Sequence, residues 1–205
     1  MKQVEFLFDY GSPFSYLADT QMPALAARTG AHVIYTPILL GAVFKATGNS
    51  SPIAVPAKGK YMRVELQRWA RRYGVPDLVN PFFPINTIPL MRAAVATQQL
   101  GLFDRYHPLI FNAFWAKGLN LGDTGVFTGV LEAAGLPAAE ILSAIETHEV
   151  KDRLRRNTDD AVARGMFGAP AFFVGDQMFW GNDRLDWVEA AITQPATLAE
   201  RRSGA

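Results

Sequence analysis

The sequence predicts an α/β fold in which a strand–helix–strand opening and a strand–strand–helix ending flank a long helical middle. Residues 4–8 form an almost continuous apolar run, which is typical of a strand buried on both faces. Two short apolar runs, 171–174 and 177–180, are separated by a Gly-Asp pair, which is a hairpin signal. Apolar residues recur at helical spacing over most of the chain between these segments.

The opening unit is predicted from its turn and capping residues. Ser12 suits the N-cap of a helix and Pro13 suits its first helical position, so a helix should begin directly after the first strand. We expect it to run to Gly30 and to be kinked, rather than ended, by Pro23. Residues 32–36 form the second predicted strand, which completes a βαβ unit.

The middle of the chain is predicted to be helical, with further helices near the C-terminus. The helical period covers residues 61–73, 89–99, 102–116, 124–134 and 137 to about 165. Segments rich in Pro, Gly and Asn are predicted to be loops: residues 41–60 and 80–86. Asp183 is expected to cap the last helix, and the polar tail after Pro195 is expected to fray.

Composition excludes several classes of function. The chain has 205 residues, a formal net charge of +1 and no cysteine. A near-neutral charge does not favour nucleic acid or a membrane surface as a partner. Without cysteine there is no disulfide, thiolate metal site or cysteine nucleophile, so thiol chemistry requires a thiol from outside.

The remaining metal and targeting signals are also weak. The histidines, His32, His107 and His148, lie far apart without ligand spacing, so we interpret them as surface or structural residues and expect no metal. The N-terminus lacks the pattern of a signal peptide, and no uncharged run is long enough to span a membrane. We therefore expect a cytoplasmic protein.

Four motifs in the same order resemble one known family. They are Phe8-Asp9-Tyr10-Gly11-Ser12-Pro13-Phe14-Ser15-Tyr16-Leu17, Thr47-Gly48-Asn49 with Val55-Pro56-Ala57-Lys58-Gly59-Lys60-Tyr61, Gly165-Met166-Phe167-Gly168-Ala169-Pro170, and Gly181-Asn182-Asp183-Arg184. The chain resembles thioredoxin-like proteins of the bacterial disulfide-oxidoreductase and kappa-class glutathione transferase branch. Pro81-Phe82-Phe83-Pro84-Ile85-Asn86-Thr87 and Arg92 are most similar to the 2-hydroxychromene-2-carboxylate isomerase family within it.

This resemblance implies a thioredoxin-like fold with a large helical insertion after the second strand. The thioredoxin-like domain would comprise residues 1–37 and 137–205, and the insertion residues 38–136. Ser12 falls where redox members carry the first cysteine of C-x-x-C. Because the chain has no cysteine, disulfide exchange is excluded. The resemblance also implies that the protein forms a homodimer.

The resemblance also implies glutathione as cofactor, with Ser12 as the catalytic residue. The Ser12 hydroxyl would donate to the glutathione thiolate and, with the helix N-terminus, lower the thiol pKa. The alternative is a plain N-cap serine. Ser15 is interpreted as a packing residue or the donor of a bond within the helix.

Further cofactor contacts follow from the other motifs. Pro170 is the candidate cis-proline, and Ala169 before it would pair with the cysteinyl backbone of glutathione; an ordinary trans proline is the alternative. Asn182 and Asp183 would hold the γ-glutamyl end, or simply cap a helix. Asn49 and Lys58 would bind the glycyl carboxylate, although the Lys/Arg cluster around Lys58 is also typical of a solvated helix face.

The substrate site is expected at the Phe82–Asn86 segment. Phe82, Phe83, Pro84 and Trp115 would form an apolar wall for an aromatic ring, and Asn86 and Arg92 would meet a carboxylate. The alternative is that these residues belong to the core of the insertion.

The resemblance implies an isomerase in the degradation of naphthalene-type aromatics. It would interconvert 2-hydroxychromene-2-carboxylate and trans-o-hydroxybenzylidenepyruvate through reversible addition of glutathione thiolate, which permits rotation about the former double bond. Two alternatives remain. One is a kappa-like transferase or peroxidase acting on other electrophiles, and the other is a non-catalytic thioredoxin-like module.

Overall fold

The sheet has the thioredoxin arrangement. The computed structural model describes residues 2–194, which form one four-stranded sheet in the order β2-β1-β3-β4. The strands are β1 (Gln3–Phe8), β2 (His32–Pro37), β3 (Ala171–Val174) and β4 (Gln177–Trp180). β2 pairs parallel with β1, while β3 and β4 are antiparallel to their neighbours. The predicted fold class is therefore confirmed.

Helices cover both faces of the sheet and fill the middle of the chain. They are α1 (Pro13–Asp19), α2 (Met22–Thr29), α3 (Leu40–Thr47), α4 (Pro56–Tyr73), α5 (Ile88–Gln99), α6 (Phe103–Phe111), α7 (Thr124–Ala133), α8 (Ala138–Ala144), α9 (His148–Ala163) and α10 (Leu185–Thr193). A π-helical turn, Asn112–Ala116, continues α6, and 3₁₀ turns occupy Pro52–Ala54 and Asn182–Arg184. No helix within residues 2–194 combines the length and apolarity needed to cross a membrane.

The loop predicted over residues 41–60 was the largest error in the middle of the chain. It contains α3, and α4 already begins at Pro56. The glycine and proline that suggested a loop are helix boundaries instead. Gly48 ends α3 in the left-handed conformation, with φ of 70°, and Pro56 starts α4 where its missing N–H costs no helical bond.

Two predicted helices are each interrupted. The opening helix ends at Asp19, and Pro23 lies in the first turn of the separate helix α2 rather than at a kink. The helix predicted from residue 137 is divided into α8 and α9. Thr147 caps α9 by accepting a hydrogen bond from the Val150 N–H, a local signal that the apolar spacing alone did not reveal.

One apolar core joins the sheet to the helical middle. Phe8 of β1 lies with its ring centroid 4.6 Å from His107 of α6, and Tyr10 lies 4.7 Å from Phe111. The division of the chain at residues 38 and 136 stays a prediction, because packing is continuous across both boundaries. The predicted frayed tail lies outside the described residues.

His107 is structural and links three segments. The Tyr10 hydroxyl donates to its Nδ1 over 3.0 Å, and its Nε2 lies 2.9 Å from Asp19 Oδ1 at the end of α1. Both ring nitrogens are therefore used when Nε2 carries the proton. This network holds α1 against α6, and so positions the residues at the start of α1.

Candidate active site

Ser12 lies at the junction of β1 and α1, as its sequence context predicted. It is the N-cap of α1, where its Oγ accepts a hydrogen bond from the Ser15 N–H over 3.1 Å. Its hydroxyl donates to the Ala169 carbonyl, also over 3.1 Å, and the residue is 4% exposed. The N-cap interpretation is confirmed, and the hydroxyl also faces the loop before β3.

The loop before β3 supplies the opposite wall. The Ala169–Pro170 peptide bond is cis, as predicted for Pro170, and the Pro170 carbonyl accepts from the Gly181 N–H over 3.0 Å. Gly168 faces Trp180 so closely that a Cβ would lie 2.7 Å from the indole nitrogen. The sequence interpretation gave neither Gly168 nor Trp180 a role, although both line the space in front of Ser12.

A cavity of about 320 Å³, the Ser12 cavity, brings together most of the predicted cofactor residues. Ser12, Asn49, Lys58 and Ala169 line it, although they come from four separate segments of the chain. Much of the remaining lining is apolar: Phe14, Val55, Met62, Phe83 and Trp180. The cavity therefore offers a few separated polar groups on an apolar surface, which is typical of a small-molecule site.

Asn49 lines this cavity from the loop that follows α3, and Lys58 lines it from α4. The Asn49 side chain donates to the Phe167 carbonyl over 2.8 Å, which ties the end of α3 to the loop before β3. Lys58 forms no ion pair with any residue between positions 2 and 194. Its ammonium is thus available to an anionic ligand, whereas Arg68 on the same helix pairs with Glu65.

A second cavity of about 480 Å³, the Phe83 cavity, adjoins the first. The two share five lining residues: Gly11, Leu40, Phe44, Ser51 and Phe83. Three predicted substrate residues, Phe83, Pro84 and Asn86, line the Phe83 cavity. Asn86 Oδ1 accepts from the Ile88 N–H over 3.1 Å, so its amide NH₂ remains able to donate to a ligand.

Three other predicted substrate residues do not line either cavity. Arg92 points toward Glu146 instead, with 3.8 Å between the charged atoms. Trp115 is buried behind Phe83 and donates its indole N–H to the Tyr10 carbonyl over 2.8 Å. Phe82 is about half exposed outside the cavity. The core interpretation is therefore right for Trp115, and the carboxylate role of Arg92 is not supported.

Asn182 and Asp183 line a separate hollow between α2, α4 and α10. This hollow, of about 90 Å³, also includes Gln21, Arg72 and Tyr73. Asn182 is 3% exposed, and its Nδ2 has no hydrogen-bond partner within residues 2–194. Asp183 forms an ion pair with Arg184 and does not cap α10, which corrects its predicted capping role. A buried amide without a partner is costly, so this hollow is suited to a ligand that accepts from it.

Asp9 is a site residue whose role the sequence analysis missed. Its carboxylate accepts from the Gly11 N–H over 2.8 Å and from the Leu40 N–H over 2.9 Å, and it lines the Phe83 cavity. Burial raises the pKa of the Asp9 carboxyl, while these N–H groups and the Thr87 side chain act in the opposite direction. An acidic residue directly after a buried apolar strand was the available signal.

Known proteins resemble this chain over almost its whole length. Residues 3–193 match the family model of the DSBA-like thioredoxin domain. A 2-hydroxychromene-2-carboxylate isomerase of Sphingobium xenophagum is 35% identical, over 93% of this chain and 98% of its own length. A kappa 1 glutathione S-transferase of Caenorhabditis elegans is 27% identical, over 100% of this chain and 96% of its own.

The solved structures include a close match. A 2-hydroxychromene-2-carboxylate isomerase structure superposes with a TM-score of 0.84 and 32% identity, and 98% of each chain is covered. The sheet, the cis-proline loop and the two cavities are thus observed in a chain whose relatives match it over almost their whole length. The protein belongs to the DSBA-like thioredoxin family, in the group that contains the 2-hydroxychromene-2-carboxylate isomerases and the kappa-class glutathione transferases.

Proposed function

We propose that this protein is a glutathione-dependent cis–trans isomerase. Its substrate pair would be 2-hydroxychromene-2-carboxylate and trans-o-hydroxybenzylidenepyruvate, in the breakdown of naphthalene-type aromatics. The observation that carries this proposal is the Ser12 hydroxyl in a cavity that also contains Lys58 and that opens beside the apolar Phe83 cavity. The curated relatives that bear this isomerase name support the reaction, and the kappa-class relatives support the cofactor.

The described residues fit glutathione as a ligand. A tripeptide thiol needs a cation for its glycyl carboxylate, donors for its γ-glutamyl end and a donor beside its sulfur. Lys58 supplies an unpaired ammonium, Asn182 a buried amide without a partner, and Ser12 the hydroxyl. The lack of any cysteine in the chain explains why the thiol would have to be brought in.

In the proposed mechanism the protein residues position the glutathione thiol, favour its ionised form and shield it from water. Bound glutathione would supply a thiolate that adds reversibly to the conjugated side chain of the substrate, so that the carbon–carbon bond can rotate. Ser12 would turn its proton from the Ala169 carbonyl to the sulfur, which favours the ionised thiol. Because α1 has only 7 residues, the Ser12 hydroxyl is expected to stabilise the thiolate more than the helix dipole does.

The Phe83 cavity would hold the aromatic ring of the substrate. Phe83, Pro84 and Ile85 form its apolar side, and the free NH₂ of Asn86 would donate to the substrate carboxylate. With Arg92 engaged elsewhere, recognition of this carboxylate would depend on hydrogen bonds more than on an ion pair.

The direct test is an absorbance assay with 2-hydroxychromene-2-carboxylate, in the presence and absence of glutathione. We expect isomerisation only with glutathione, and no change in the total free thiol. Consumption of thiol would instead support the kappa-like transferase, which the relative from Caenorhabditis elegans favours and which the same Ser12 cavity would serve. If a calorimetric titration showed no binding of glutathione, the non-catalytic thioredoxin-like module would be the remaining hypothesis.

Lys58→Met is expected to weaken glutathione binding about tenfold, because it removes a charged partner of the glycyl carboxylate. Lys58 is exposed, so the wild-type affinity should also fall as salt is added. Lys60→Met is the matched control, since Lys60 lies exposed on the same helix but does not line the cavity. Equal effects of the two substitutions in calorimetry would contradict the assigned role.

A further inference from the structure

Ser15 carries a buried hydroxyl without a hydrogen-bond partner. Within residues 2–194, its Oγ and Asn182 Nδ2 are the two buried side-chain atoms of this kind. Ser15 is 0% exposed, so bulk water does not reach the hydroxyl. Of the two sequence interpretations of Ser15, the packing residue agrees with its burial, and the hydrogen bond within the helix is not formed by the hydroxyl. A buried polar group left unpaired is destabilising and uncommon in native proteins, and a catalytic role is one of the recognised explanations for such a group.

The backbone acceptor nearest to Ser15 in sequence is already in use. The Ser12 carbonyl accepts from the Ser15 N–H over 3.1 Å and from the Tyr16 N–H over 3.2 Å. Serine in a helix commonly donates to a carbonyl three or four residues earlier, but this one does not. The hydroxyl proton of Ser15 therefore has no backbone partner within residues 2–194.

One side-chain acceptor next to Ser15 is incompletely used. A hydroxyl has one proton and two lone pairs. Ser12 Oγ gives its proton to the Ala169 carbonyl and accepts once, from the Ser15 N–H. Ser12 is the N-cap and Ser15 the third helical residue of α1, and the Ser15 N–H already lies 3.1 Å from Ser12 Oγ, so the two side chains start from the same helical turn. The second lone pair of Ser12 Oγ is therefore the natural destination for the Ser15 proton.

We propose that Ser15 is a positioning residue that donates to Ser12 Oγ and so strengthens Ser12 as the donor to the glutathione thiolate. This inference rests on the proposed function. When Ser12 turns its proton to the sulfur, the Ser15 hydroxyl moves into hydrogen-bond distance of Ser12 Oγ. Two hydroxyls in series then share the negative charge, because each hydrogen bond in a chain polarises the next. No proton leaves either serine.

The test is the pKa of the bound glutathione thiol, followed by the ultraviolet absorbance of the thiolate against pH. Ser15→Ala is expected to raise this pKa by about 0.5 pH unit, the size of one lost neutral hydrogen bond. The pH profile of kcat/KM should move toward alkaline pH by the same amount. Binding of S-methylglutathione, which has no ionisable thiol, should be unchanged.

A double-mutant comparison separates action through Ser12 from other effects. In the Ser12→Ala background, Ser15→Ala is expected to add no further shift, since the intermediate acceptor is gone. A full shift in that background, or no shift in the single variant, would overturn the proposal. Absence of glutathione binding to the wild-type protein would instead overturn the proposed function, which keeps the two failures distinct.

Stability provides the control against a purely structural role. Removing an unpaired hydroxyl leaves no broken bond, so the Tm of unliganded Ser15→Ala should be unchanged or raised. Thr97→Val is the comparison, because the buried Thr97 hydroxyl donates to the Ala93 carbonyl over 2.7 Å. That variant should lose stability without changing the thiol pKa. A fall in the Tm of Ser15→Ala with no pKa shift would show that Ser15 is structural.

Discussion

Ser12→Ala is expected to lower kcat by about 10² or more while glutathione affinity is retained, as is typical when a positioned donor is removed. The hydroxyl donates to the Ala169 carbonyl in the structure, and in the proposed mechanism it donates to the thiolate instead. Affinity should be retained because Lys58 and Asn182 would still bind the two ends of the tripeptide. Steady-state kinetics with calorimetry measures both quantities.

Two controls make this prediction specific. Ser143→Ala removes an exposed hydroxyl on α8, away from both cavities, and should leave kcat unchanged. Ser12→Thr keeps a hydroxyl at the N-cap and should recover part of the activity lost in Ser12→Ala. If Ser12→Ala turned over at nearly the wild-type rate, the hydroxyl would not be the thiolate donor.

Asp9→Ala is expected to reduce the free energy of unfolding by about 2–4 kcal/mol, since the buried Gly11 and Leu40 N–H groups lose their acceptor. The same bonds hold the Ser12 turn to the start of α3, so kcat should fall as well. Denaturant unfolding and kinetics measure the two effects. Asp123→Ala is the matched control: its exposed carboxylate caps α7 through the Val126 N–H alone, so a loss of about 1 kcal/mol and normal kcat are expected.

The Asp9 contribution to stability is also expected to depend on pH. Burial raises the pKa of this carboxyl in the folded protein above the ordinary value of 3.8. A raised folded-state pKa means that the folded protein binds the proton more tightly than the unfolded chain. The stability advantage of the wild type over Asp9→Ala should therefore be largest below about pH 3.8 and shrink as pH rises through the folded-state pKa. If denaturant titrations showed that the stability advantage of the wild type grows as pH rises over this range, the predicted direction of the pH dependence would be wrong.

Several parts of the site were predictable because their signals are local. The Ser12-Pro13 pair predicts a helix start at the end of a buried strand, and the structure has α1 there. The Gly175-Asp176 pair predicts the β3–β4 hairpin by the same kind of reasoning. Such signals involve neighbouring residues, whose backbone preferences do not depend on distant packing. The same local rules gave a wrong prediction for residues 41–60. There, glycine and proline mark the ends of helices rather than a loop.

Other site residues could be assigned only from the three-dimensional structure. Arg92 and Lys58 are both basic residues on helices of the middle segment, yet Arg92 faces Glu146 and Lys58 lines the Ser12 cavity. Asn86 bonds to nearby backbone, whereas Asp9 also accepts from the Leu40 N–H at the start of α3. The cavity that both residues line is formed by residues of α3 and of the segment that leads into α5. The candidate cofactor residues were named from the resemblance of the motifs and stay a prediction, whereas the placement of Asn182 in its own hollow came only from the structure.

Short-range patterns in the chain were thus sufficient for the strands, the hairpin, the start of the first helix and the absence of a protein thiol, because each depends on residue identity and immediate neighbours. Long-range packing determined which polar groups are satisfied. The Ser15 hydroxyl would look like any helix serine until the fold buries it and leaves it without a hydrogen-bond partner within residues 2–194. Burial removes water as an alternative partner, and that physical change converts an ordinary side chain into a candidate functional one.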